Sequence, residues 1–171
     1  MAISLRDIGN IIDEMSKKID DVPNVVDRVV SETQDVILSL NRDQLLLGRN
    51  TLGEAFTPGY TDDPFFKTKE KAHSYRKMKE RLEADHKTRM VNPQQYPDKN
   101  SNTPNLIVTG PFQNKMFINT SKGNYEIGST YVDASKIDAK YENKVFGLAP
   151  KSKDYYYKNF PEPELIKHFK P

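Results

Sequence analysis

Residues 105–150 read NLIVTGPFQNKMFINTSKGNYEIGSTYVDASKIDAKYENKVFGLAP, and this stretch decides the fold. Two apolar-rich runs, Asn105–Thr109 and Lys115–Thr120, are separated by the turn pair Gly110 and Pro111, with Phe112 a candidate first residue of the second run. A second turn, at Lys122 and Gly123 or at Gly123 and Asn124, leads into Tyr125–Ile127, which Gly128, Ser129 and Thr130 end. Met116 and Ile118 alternate with Phe117, and Tyr125 and Ile127 with Glu126. Alternation of that kind gives a strand one apolar face. Short turns between consecutive strands favour antiparallel pairing. The expectation is a three-stranded meander whose apolar face includes Leu106, Val108, Ile118 or Phe117, Tyr125 and Ile127. A short helix over Asp133–Tyr141, begun by Asp133 or Ser135, follows the third strand, and Val145–Leu148 closes the unit.

Upstream, Ile3, Ile8, Ile12, Met15, Ile19 and Val22 recur at steps of mostly three or four, with charged residues between them. That spacing predicts an amphipathic helix. Pro23 either ends it or occupies the first turn of a second helix. Val25, Val26, Val29, Val30, Thr33, Val36, Ile37 and Leu40 continue the pattern. Their β-branched content means that packing, rather than propensity, must hold this segment. Two helices meeting near Pro23, or one long bent helix, both satisfy the sequence. The fold class is therefore α+β, with N-terminal helices over residues 1–40 packed on the small sheet of residues 105–150.

Residues 41–104 read as a connector. Gly48, Gly53, Pro58, Gly59 and Pro64 punctuate its first part. That part also carries Leu45, Leu46, Leu47, Phe56, Tyr60, Phe65 and Phe66, too much apolar mass for a solvated linker. These residues are candidate protein-interface residues. Within the connector, residues 67–89 form a charged helix with Ala72, Tyr75, Met78 or Lys79, and Leu82 along one stripe; Asn92, Pro93 and Pro97 stop it. Residues 151–171 hold Tyr155, Tyr156, Tyr157 and Phe160 among lysines, with Pro161 and Pro163 breaking any regular helix. They are expected as an extended arm, docked on a neighbour or covering its own domain. The same four aromatic residues join the interface candidates.

The chain of 171 residues is long enough for one domain with a real core, yet only 36 % of it is hydrophobic and 29 % is charged. Net charge is +2, unevenly spread. Residues 1–40 carry four basic and eight acidic side chains, and residues 67–89 nine basic and four acidic. An acidic end and a basic middle favour oriented self-association or an acidic partner. Lys77, Lys79, Arg81, Lys87 and Arg89 are the candidate contacts to such a partner or to the phosphates of DNA. With no cysteine, a disulfide scaffold, a thiol nucleophile and a thiolate metal site are excluded. His73, His86 and His168 have no metal-ligand spacing. The pairs Asp20–Asp21 and Asp62–Asp63 read as solvated charges, and no phosphate-binding glycine loop, zinc-hydrolase or serine-hydrolase motif is present. No enzyme, cofactor or metal is expected. Charge interrupts the first ten residues, so no secretory signal is expected, and no apolar run approaches the ~20 residues that span a bilayer.

The segment Leu106–Leu148 resembles the core of phage tail-completion and neck proteins, the virion-morphogenesis or minor-tail group. The resemblance rests on Thr109–Gly110 at a strand end, the strand around Met116–Asn119, Ile127–Gly128–Ser129–Thr130, Ala139 with Tyr141, and Phe146–Gly147. The sections LNRDQLLLGRN and YTDDPFFKTKE further resemble versions in phages and prophages of the Bacteroides group. The chain departs from the group at Pro111 and Phe112, where a small polar turn is usual, and in its long section from Asn41 to Asn102. The resemblance implies a non-catalytic structural protein at the head-to-tail junction of a virion, assembled in the host cytoplasm. It further implies a ring, of twelve or six copies, around the DNA channel and in contact with portal or tail proteins. A DNA-binding protein acting through residues 67–89, and a monomer with no assembly role, are the alternatives.

Overall fold

A computed structural model describes residues 5–85, 99–106 and 110–170. Its elements, in chain order, are α1 (Leu5–Glu32), α2 (Gln34–Leu46), α3 (Lys69–Asp85), α4 (Pro111–Asn114), β1 (Met116–Ser121), β2 (Asn124–Ser129), α5 (Ala134–Lys140), α6 (Pro150–Asn159) and α7 (Pro161–Phe169). The fold is α+β: N-terminal helices, a small antiparallel sheet and C-terminal helices.

Among the described residues the sheet has two strands rather than three. Ile118 pairs with Ile127 and Ser121 with Asn124, leaving Lys122 and Gly123 as a two-residue turn, both at positive φ (50° and 77°). That combination matches the right-handed twist of a hairpin. Of the expected first strand, residues 107–109 lie outside the described residues, and Leu106 sits at φ 55°, which is incompatible with a strand. Gly110 is left-handed and opens the α4 turn, so Phe112 is helical rather than the start of a strand. Pro111, at the first helical position, needs no N–H partner there. Met116, Ile118 and Ile127 form the buried face, with Tyr125 half-buried beside them.

At the helical start, of the two arrangements the sequence allows at Pro23, the continuous helix is the one found, with a break further along. α1 runs through Pro23, and the break falls at Thr33, whose hydroxyl donates to Val29 O (2.6 Å). A proline inside a helix removes one hydrogen bond and crowds the preceding turn. Here the hairpin seats on that spot: the Gly123 N–H donates to Asp27 Oδ1 (2.8 Å), and a Cβ at Gly123 would lie 3.2 Å from Pro23 Cα.

The core draws Val30, Ile37, Leu38 and Leu40 from the helical start, and Leu45 and Phe56 from the connector. Phe112, Met116, Ile118, Ile127, Tyr141, Val145 and Leu148 come from the 105–150 unit, and Tyr156 from the C-terminal segment. Two buried polar side chains of α2 fasten the closure at residues 145–149. Gln44 Nε2 donates to Gly147 O (2.7 Å) while its Oε1 accepts from the Ala149 N–H (2.8 Å). Asn41 Nδ2 donates to the same Gly147 carbonyl (2.8 Å). Satisfying buried backbone groups in this way avoids about 1–3 kcal/mol of desolvation for each.

The C-terminal segment is not an extended arm. α6 and α7 each begin with proline at the first helical position, so Pro161 starts a helix instead of breaking one. Tyr156 is 4 % exposed, stacks on Phe160 with ring centroids 5.3 Å apart, and shares a hydrogen bond with Thr33 Oγ1 (2.7 Å). α7 lies along α1. Arg28 pairs with Glu164 (3.6 Å), Lys18 Nζ donates to Lys170 O (3.0 Å), and His168 Nε2 donates to Lys18 O (2.8 Å).

Candidate interaction surfaces

α1 has two halves with one periodicity. Leu5, Ile8, Ile12, Met15, Ile19, Val22, Val26 and Val29 alternate steps of three and four without a break. In the C-terminal half that seam is covered: Val29 is 3 % exposed, and its neighbours Val25 and Val30 are buried too. From Ile19 toward the N-terminus, the end of α7 reaching only to Lys18, the same seam runs on uncovered. Leu5 is 88 %, Ile12 58 % and Ile19 58 % exposed, and Ile8, Ile11 and Met15 are exposed as well. Thirteen residues separate Leu5 from Lys18, so the helix carries this face about 20 Å. The six side chains present on the order of 600 Å² of surface, at the upper end of the largest patch an ordinary monomer shows. The expected amphipathic helix is there, but its N-terminal half is not packed on the sheet.

α3 turns Ala72, Tyr75, Lys79 and Leu82 toward the body and leaves Met78 exposed. Lys79 is 1 % exposed, so it is not available as an outer contact to a partner or to DNA; its long apolar stem lets it occupy the inward stripe. Lys77 and Arg81 are exposed, as are Lys67, Lys69 and Lys71. Lys87 and Arg89 lie outside the described residues.

Between α3 and the end of the connector lies a groove of about 630 Å³, lined by Phe65, Phe66, Lys71, Ser74, Tyr75 and Met78. Phe65, 78 % exposed, packs edge-on against Phe66, which in turn meets Tyr75. A second cleft of about 410 Å³ lies on the other side of Phe66, bordered by Tyr60, Asp63, Lys79 and Tyr141. There Asp63 is buried, paired with Lys140, and accepts from the Phe65 N–H (3.0 Å). It is thus a structural ion pair, not the solvated charge the sequence suggests; Asp62 is exposed. Burial, and then the Asp63 charge, raise the Tyr75 and Tyr141 hydroxyls above their ordinary range and keep both protonated at neutral pH.

The other interface candidates divide clearly. Leu45, Phe56, Tyr60 and Tyr156 are core residues, while Leu46, Leu47, Phe66, Tyr155 and Phe160 are half-buried. Only Phe65 and Tyr157 remain well exposed among them. The motifs behind the phage resemblance are likewise structural where they are described. Gly110 opens a turn. Gly128 lies under the Phe117 ring, where a Cβ would come within 2.7 Å, and Ser129 Oγ donates to Phe112 O (3.0 Å). Gly147 supplies the carbonyl that Asn41 and Gln44 hold.

The described residues contain no cluster of three or more acidic or histidine side chains able to hold a metal ion, and no helix long and apolar enough to cross a membrane. No family model, curated protein or solved structure matches the chain.

Proposed function

We propose that this chain is a structural subunit that works by assembling, and that its place is an oligomeric ring at a phage head-to-tail junction, around the DNA channel and against portal or tail proteins. The observation that carries the assembly reading is the uncovered half of α1. A helix projecting about 20 Å with isoleucine, leucine and methionine on its face is a costly thing to leave in water. The same seam is sealed one heptad further along. The junction itself is suggested by the ordered sequence pattern from Thr109 to Gly147, whose described residues hold the small α+β body together.

The test is to raise the protein's concentration and follow its mass by sedimentation equilibrium, alone and with portal and tail proteins, and to locate it in particles by cryo-microscopy. Concentration-dependent association and density at the neck are expected. A protein that stays monomeric, binds neither partner and is absent from particles contradicts the proposal.

A second reading is non-specific DNA binding, favoured by exposed Lys69, Lys71, Lys77 and Arg81 along α3 and Lys67 just before it. It predicts duplex binding by the monomer that weakens with salt, with a log–log slope of about 0.9 per phosphate contact. A ring through which DNA must slide predicts weak binding at physiological salt.

A further inference from the structure

We propose that the cleft between α3 and α5 is a binding site for a small uncharged aromatic molecule whose carbonyl oxygen accepts from two tyrosine hydroxyls. The site is independent of the assembly reading. Its volume is about 410 Å³, within the roughly 300–1,000 Å³ of small-molecule sites. The walls are largely apolar, with Tyr60, Phe66, Leu106 and Ile137 among them. The Tyr75 ring stands edge-on to Tyr60, with centroids 5.4 Å apart, and tilted against Phe66 at 5.1 Å. Rings set at such angles offer an aromatic guest both the faces and the edges it packs against.

The polar groups of this wall are unevenly satisfied, and the imbalance selects the ligand. Asp63 is engaged: its carboxylate accepts from the Phe65 N–H (3.0 Å) and pairs with Lys140. The Tyr60 hydroxyl donates to Asn105 Oδ1 (3.3 Å). Tyr75 and Tyr141 differ. Among the described residues neither hydroxyl has a hydrogen-bond partner, although Tyr141 is only 7 % exposed. Buried phenols ordinarily find one. Neither oxygen is sealed inside protein, so both are open to the cleft. The Asp63 charge acts on both hydroxyls, and Tyr75 on that of Tyr141, which groups the two donors beside the ion pair. A carbonyl oxygen, with two lone pairs, satisfies both.

Charge disfavours an ionic ligand. A carboxylate would meet Asp63, and an ammonium would meet Lys79 and Lys140, at the same wall. Asp63 and Lys140 already compensate each other, and Lys79 is likewise engaged. A charged head would therefore give up its water without gaining a free counter-ion. An uncharged carbonyl gives up little and satisfies two donors.

The probe is benzamide, titrated into the full chain and followed through the amide NMR signals of Asp63, Tyr75, Lys140 and Tyr141. Shifts at these residues, saturating with a Kd on the order of millimolar, are expected. Benzoate and benzylamine should bind at least about tenfold more weakly. Tyr75→Phe and Tyr141→Phe delete the hydroxyls and keep the rings. Because neither hydroxyl bonds within the fold, both variants should melt within about 1 °C of the parent. Each should bind benzamide about tenfold more weakly. Benzamide that shifts nothing in the cleft up to its solubility, or that binds the Phe variants as well as the parent, overturns the site. So does a preference for benzoate or benzylamine. A marked fall in the melting temperature of either variant also overturns it, since the hydroxyl would then have a partner within the fold.

Discussion

The N-terminal half of α1 and the C-terminal helices α6 and α7 exchange the roles their sequences suggest. The N-terminal segment has the regular apolar period of a core-facing helix, yet it stands clear of the body. The C-terminal segment has two prolines, many lysines and a run of three tyrosines, features of an arm, yet Tyr156 is in the core and α7 is docked on α1. Periodicity tells which face of a helix seeks cover; it does not tell whether the cover comes from the same chain. Composition is equally mute on docking. Tyrosine rings bury apolar area while their hydroxyls find partners, as Tyr156 does with Thr33, and proline at the first helical position suits a helix start because no N–H partner is needed there.

This contrast can be broken most forcefully by truncation. Removing residues 150–171 strips Tyr156 and Phe160 from the core and uncovers α1 from Lys18 to Arg28. With total stabilities of only about 5–15 kcal/mol typical of domains, the shortened chain should lose its cooperative unfolding transition. A sharp melt close to that of the parent would show that the C-terminal helices are an accessory after all. A single substitution sharpens the point. Tyr156→Ala removes a buried ring and the Thr33 hydrogen bond together, and should cost about 3–4 kcal/mol in chemical denaturation.

Alkaline titration probes the same buried rings without mutation. Burial raises the Tyr125 hydroxyl to about 12, with its neighbour Tyr156 adding to the shift. Tyr75, Tyr141 and Tyr156 are also raised by burial. A tyrosine whose folded pKa lies above its unfolded value near 10 stabilises the fold fully below pH 10, and that contribution is lost as pH climbs toward the folded value. Stability should therefore hold to about pH 10 and fall steeply from there toward pH 12, with tyrosinate absorbance rising late and together with unfolding. A smooth titration of all nine tyrosines near their ordinary value would contradict the buried placement. The smallest effect belongs to the other side of the comparison. Deleting the chain up to Lys17 takes away the uncovered turns of α1 that start at Leu5, and dilute stability should change by no more than about 0.5 kcal/mol.

The legible parts of the fold are those set by local chemistry. The hairpin is written in its alternation and in Lys122–Gly123, α5 in its charged helical run after Asp133, and α1 and α2 in their spacing. The missed parts depend on distant partners. The sequence leaves open whether Pro23 ends α1; the hairpin turn and Asp27 hold the helix continuous there. Leu106 and Phe112 resemble strand residues, but Gly110 in the left-handed region redirects the chain into a helical turn. Asn41 and Gln44 carry no sequence signal of their own; only the approach of residues 145–149, about a hundred positions away, makes them core fasteners. For the interaction surfaces, the acidic start and the basic α3 were readable as opposed charges. The burial of Lys79 and the Asp63–Lys140 pair were not, since both follow from how α3 and α5 pack around the connector.

The central claim is that the free half of α1 is an assembly surface, and amide hydrogen exchange over Leu5–Lys18 tests it most directly. In dilute protein these amides should exchange far faster than those of Val25–Val30 in the same helix, and they should become protected as concentration is raised or assembly proceeds. Exchange over Leu5–Lys18 that stays equally fast from dilute protein to the assembled particle would contradict the claim.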